Sequence, residues 1–161
     1  MSAPAHPDLR SALLDQVAYL LEEVEALRPI VDRIPEPLQV ARPLGQEPSI
    51  REYYGLIADR DTHERLAWVQ QQAGTAPSVG TADTDWNALP MRTILDRLAE
   101  ARAQLTQALR SLPDAAWATT GAGSAYAFVH TLLQEDTDVL RTLGYRMHES
   151  HMTSRNEDLP K

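Results

Sequence analysis

The chain has 161 residues, 43% of them hydrophobic and 24% charged, with 15 basic against 23 acidic side chains and a formal net charge of -8. That length predicts one domain with a core of its own, and the acidic balance, with no basic run, excludes a nucleic-acid partner held by phosphate neutralisation. There is no cysteine, which removes disulfides, thiolate nucleophiles, zinc–thiolate centres and iron–sulfur clusters.

Met1 to Pro7 shows neither a basic n-region nor an apolar h-region, so the cytoplasm is the expected compartment. No apolar stretch approaches the roughly 20 residues a membrane span needs, so no membrane partner is expected.

The first element is expected from about Pro7 to Arg33. Leu9, Leu13, Val17, Leu20, Leu21, Val24, Leu27 and Val31 recur at spacings of three and four, which places them on one helical face. Asp8 suits the positive end of the helix dipole. Ile34-Pro35-Glu36-Pro37 ends the helix, because proline cannot continue the hydrogen-bond ladder. After a linker with Pro43, Gly45 and Pro48, Ser49 opens a second helix, and Glu52 stands at the capping-box spacing. Ile50, Tyr54, Ile57 and Trp68 share its apolar face, with Tyr53 beside them. Asp61 and Glu64 are expected on that same face, where a carboxylate is costly unless paired, protonated or bound.

Gln72 to Pro90 reads as a long loop that Trp86 and Leu89 pin to the body. The third helix is expected from Met91 to Leu112, on a stripe of Ile94, Leu95, Leu98, Ala101, Leu105, Ala108, Leu109 and Leu112, and it stops at Pro113-Asp114. Thr119 to Gly123 forms a turn, and Ser124 caps the fourth helix. That helix runs to about Tyr145 with Gly144 as its C-cap glycine. Ala125, Phe128, Val129, Leu132, Leu133, Val139, Leu140 and Leu143 form its apolar face, Asp136 sits in the middle of that face, and His130 lies at its edge. Gln134 and Asp138 point the other way. No strand alternation or internal repeat occurs. The expected architecture is all-α, a four-helix bundle with long interhelical loops over residues 1–146 and a loose polar tail over 147–161. Its two long connections leave room for a crossover.

Bundles often hold metals in the core, but the Glu-x-x-His pairs of a di-iron site are absent. A mononuclear site would draw on His63 or His130 with Asp61 or Asp136, whereas hydrogen-bonded histidines at a helix flank are the simpler reading. Asp61 and Asp136 are either a carboxylate pair for acid–base or cation chemistry or are neutralised by Arg60, Arg102 or a tyrosine hydroxyl. No Gly-x-Ser-x-Gly elbow is present, and Gly121-Ala122-Gly123-Ser124 lacks the strand and lysine of a phosphate loop.

The order of these patterns resembles the DinB/YfiT-like family of four-helix bundles. The resemblance rests on Ile34-Pro35-Glu36-Pro37-Leu38 at the first helix exit and on Ser49-Ile50-Arg51-Glu52 through Asp61, similar to the family's Ser-x-x-Glu-x-x-x-His-x-x-Asp-x-Glu. It also rests on Leu98-Ala99-Glu100-Ala101-Arg102 and on a last helix with His130 and an acidic cluster. The family implies one divalent metal held by three histidines, one on the second helix and two at i, i+4 on the last, and thiol-dependent transferase or isomerase activity. This chain departs at those places. Leu56 stands at the second-helix histidine position, and Pro48 replaces the usual tryptophan. Leu132 and Asp136, or Gln134 and Asp138, replace the last pair. The resemblance therefore implies a stress-associated bundle with a degenerate metal site that binds a small molecule or is non-catalytic, with no cofactor and with a homodimer as the expected self-partner. The candidate pocket is Tyr53, Leu56, Asp61, His63, His130 and Asp136. The alternative is a zinc- or nickel-dependent transferase using His63, His130 and Asp136.

Overall fold

A computed structural model describes residues 7–43, 46–77, 80–118 and 120–157. The Asp8 side chain, the leader before Pro7, Gly45, Thr119 and the last four residues lie outside the described part. Among the described residues there are helices and turns and no strand.

Helix α1 spans Pro7–Val31, with Pro29 in its last turn, and a short helix α2, Glu36–Val40, follows Pro35. The sequence pattern predicts linker at α2, where a helix forms instead; Pro37, near its N-terminus, costs no ladder bond there. Helix α3, Ile50–Asp59, begins as the sequence predicts. Ser49 Oγ accepts from the Glu52 backbone N–H at 3.1 Å while the Glu52 carboxylate accepts from the Ser49 N–H at 2.8 Å. The rod continues through a π-helical turn, Arg60–Arg65, into α4, Leu66–Gln72. Gly74 ends it at φ 73°, with Gly74 N–H donating to Gln71 O and Thr75 N–H to Gln70 O, the paired bonds of a Schellman stop.

Helix α5 spans Met91–Arg110, α6 Asp114–Ala118, and α7 Ala125–Glu157. Ser124 caps α7 as expected, its Oγ accepting from Ala127 N–H at 3.1 Å. Two expectations are corrected at the far end. Gly144 is inside α7 rather than a C-cap, since its φ is not positive, and the segment read as a loose tail from Met147 is helical to Glu157. Met147 packs on the core there, its Sδ accepting from Tyr54 Oη at 3.3 Å.

Both α1 and α3 pack on α5 and α7, so the successive long rods α1 and α3 occupy opposite corners. Cross-links fix the directions. Arg10 reaches Arg110 and Leu112, and Arg28 reaches Asp96, so α1 and α5 are antiparallel. Tyr54 meets Met147 and Arg65 meets Asp136, so the α3–α4 rod and α7 are antiparallel. The start of α3 shares one apolar cluster with the start of α5 (Tyr54, Leu95) and α4 shares the other with its end (Val69, Leu105, Leu109), so the α3–α4 rod and α5 run the same way. The connection between them must climb back along a rod of roughly 34 Å at 1.5 Å per residue, which accounts for the length of the loop after Gln72. It ends in a single 3-10 turn, Trp86–Ala88, where the buried Trp86 seats on Gly55 and donates from Nε1 to Asp59 Oδ2 at 2.9 Å. Only glycine fits at 55, because a Cβ there would lie 2.3 Å from the indole.

The apolar core forms two clusters. One holds Leu20, Val24, Tyr54, Ile57, Leu95, Leu98, Val139 and Leu143; the other holds Leu14, Val17, Val69, Leu105, Leu109, Val129 and Leu132. Each long rod contributes to both. Between them on three of the rods lie Asp61, Arg65, Arg102 and Asp136, all buried.

Candidate functional site

The polar layer is assembled from three rods and tied to the fourth. Asp61 and Arg65 come from the π turn, Arg102 from α5, Asp136 from α7. Their side chains are 0%, 5%, 1% and 7% exposed. Arg65 Nη1 donates to Asp61 Oδ1 at 2.8 Å and to Asp136 Oδ1 at 2.9 Å. Arg102 donates from Nε to Asp61 Oδ2 at 2.6 Å, and from Nη2 to Asp61 Oδ1 at 3.2 Å and Asp136 Oδ2 at 2.6 Å. Its Nη1 donates to the Val17 carbonyl of α1 at 3.3 Å. Arg65 Nη2 reaches outward to the half-exposed Glu135 at 2.9 Å.

All four oxygens of the two aspartates therefore accept from guanidinium groups, and two buried positive charges meet two buried negative ones. Planar guanidinium forks suit this bridging geometry in a way that an ammonium does not. Burial alone would lower the Arg65 pKa; the Asp136 and Asp61 carboxylates overcome that and hold it above its ordinary value.

The π turn keeps Arg65 on the inner face of the rod. Leu66 N–H donates to Asp61 O, an i→i+5 bond, and the wider turn carries one extra residue. The register then turns Glu64 out to solvent and Arg65 inward. This corrects the expectation that Glu64 shares the face of Asp61. For the same reason Val69 is buried, whereas Trp68 is half-buried and stacks on Phe128 at 4.0 Å.

Of the six candidate pocket residues, the structure brings together Asp61 and Asp136 and disperses the others. Tyr53 is half-buried against the first apolar cluster, beside the fully buried Tyr54. Leu56 stands about 7.5 Å along α3 from Asp61, at five residues of 1.5 Å each. It lines a surface cleft with Arg42, Glu52, Asp59 and Trp86, which has no lining residue from α7. His63 sits under the crossover in a cleft of about 280 Å3 lined also by Asp59, Arg97 and Glu100. There its Nε2 is 4.0 Å from Asp59 Oδ1, and a Cβ on Gly80 would lie 2.7 Å from its Nδ1. His130 is exposed on α7.

The positions that the family resemblance assigns to metal ligands hold Leu56 on α3 and either Leu132 with Asp136 or Gln134 with Asp138 on α7. Leu56 and Leu132 carry no donor, Leu132 belongs to the second apolar cluster, and Asp136 is committed to two arginines. Gln134 and Asp138 are exposed on the outer face of α7. Among the described residues no three His, Asp or Glu side chains are grouped to hold a metal ion. No described helix is long and apolar enough to cross a membrane.

No curated protein and no solved structure gives a significant match to the chain. A family model described as the DinB superfamily matches residues 19–143, a span that includes the second half of α1, the four side chains of the polar layer and α7 as far as Leu143. The helical architecture and that match agree: the chain belongs to the DinB superfamily.

Proposed function

We propose that this chain is a DinB-superfamily bundle whose metal centre has been lost, and that it acts by binding a small molecule rather than by metal-dependent group transfer. One observation carries the reading. The inward carboxylates most suited to ligate a cation, Asp61 and Asp136, are both neutralised by Arg65 and Arg102. To release Asp136 for a metal, its pairs with Arg65 and Arg102 would have to break and leave two buried guanidinium groups sharing Asp61, and breaking a buried pair costs about 3–5 kcal/mol. The alternative ligand set of His63, His130 and Asp136 gains no support from the geometry, since His63 lies beneath the crossover and His130 faces solvent.

Elemental analysis of protein purified without chelators tests this. The expected result is zinc and nickel at background, unchanged by His63→Ala or His130→Ala. About one metal per chain, lost in either variant, would overturn it.

A further inference from the structure

Helices α1 and α7 run in the same direction and leave a groove between them. Each supplies one stripe at helical spacing: Glu23, Ala26, Leu27 and Ile30 from α1, and Leu140, Leu143, Gly144 and Met147 from α7. Tyr54 completes the lining, and the cavity measures about 340 Å3, within the ordinary range of small-ligand sites. The room comes from Ala26 and Gly144. A Cβ added at Gly144 would meet nothing within 4 Å.

The walls are apolar, and the charged residue in the lining is an acid. The Glu23 carboxylate is half-buried and has no hydrogen bond or ion pair with any described residue. Burial first, and then the nearby Asp136 charge, raise its pKa, with Arg102 opposing. Its charge is felt by the buried Tyr54 phenol, which shares the groove. A carboxylate in this setting feels Arg102 only at a distance and has no cation in direct contact among the described residues, and partial burial makes that costly. A cation that also brings apolar surface to the leucine-lined walls meets both requirements.

We propose that the α1–α7 groove binds a small lipophilic amine, its ammonium paired with Glu23 and its alkyl chain lying against Leu27, Leu140, Leu143 and Met147. This rests on the reading of the chain as a ligand-binding bundle and names the ligand class and the place. The groove and the Asp–Arg layer are separate features, so metal content and amine binding can fail independently.

The test is a calorimetric and amide-NMR titration of the intact chain with n-hexylammonium, with 1-hexanol as a neutral probe of the same length. The expected result is saturable binding that shifts amides at Ala26, Leu143 and Gly144, with hexanol weaker by about tenfold or more, as loss of a charge-assisted contact predicts. Glu23→Gln keeps the shape and should bring hexylammonium down to the level of hexanol. Gly144→Leu fills open space, so the fold should survive by circular dichroism while both probes lose binding. Equal affinity for the two probes, or hexylammonium binding that persists in Gly144→Leu, overturns the proposal. So does light scattering that shows a dimer which Gly144→Leu dissociates, because the groove would then be covered by a second copy. Metal found in the same samples would overturn the lost-centre reading and leave the groove result standing.

Discussion

Replacing Arg102 with methionine probes the polar layer most severely. The substitution keeps an apolar stem of similar length and removes four hydrogen bonds: two to Asp61, one to Asp136 and one to the Val17 carbonyl. It also leaves one uncompensated negative charge among side chains that are 0–7% exposed. Breaking a buried pair in this way costs about 3–5 kcal/mol. For a chain of this size each kcal/mol lowers Tm by about 2–4 °C, so a fall of roughly 6–20 °C is expected, checked by urea denaturation and calorimetry. A second variant separates charge from packing. In Arg102→Met/Asp61→Asn the remaining Arg65 and Asp136 balance, so the double variant should be more stable than Arg102→Met alone. A single-variant loss below about 1 kcal/mol, the scale of an exposed pair, would refute the buried layer. A double variant that is merely additive would refute the charge-balance argument.

Ser49→Ala should lower stability by about 1 kcal/mol in chemical denaturation, the usual value of an N-cap, because the hydroxyl accepts from Glu52 N–H and donates to Asn87 Oδ1 at 2.6 Å. Gly144→Ala should raise stability by about 1 kcal/mol, as alanine does over glycine inside a helix; destabilisation would mean that residue 144 is a left-handed cap after all. Glu23→Gln should change the pH profile with a definite sign. The raised pKa means that the folded state binds this proton more tightly, so its contribution is present below the ordinary carboxylate pKa of 4.5 and lost as pH rises through the higher folded value. The glutamine variant should therefore gain stability relative to the parent at about pH 7 and not at about pH 4, and a constant difference between the two would contradict the assignment.

Much of the architecture is legible in the sequence, because the one-faced stripes of α1, α5 and α7 are strongly periodic. The cap at Ser49, the seating of Trp86 and the inward aspartates can all be read from local chemistry. Arg102 is also legible as a partner for Asp61, since both lie on core-facing positions. Arg65 is not, because ordinary helical spacing from Asp61 admits Glu64 at i+3 as well as Arg65 at i+4, and nothing in Arg60–Arg65 announces the i→i+5 turn that decides between them. The helix beyond Gly144 is hidden for a related reason. Glycine stands at a plausible stop and the following residues are polar, yet Met147 still packs beneath Tyr54 and α7 continues. The crossover and the α1–α7 groove depend on which rods become neighbours, and hydrophobic periodicity does not encode that. Resemblance locates the missing histidines, but only the folded chain shows Asp136 already held by two arginines.

The central claim is that this layer occupies the interior with no metal between the α3–α4 rod and α7. Anomalous diffraction from crystals grown with zinc, and separately with nickel, tests it most directly. The account predicts no anomalous peak at Asp136, with Arg65 and Arg102 bridging both aspartates in the density. A strong peak coordinated by Asp136, with either arginine swung away, would contradict it.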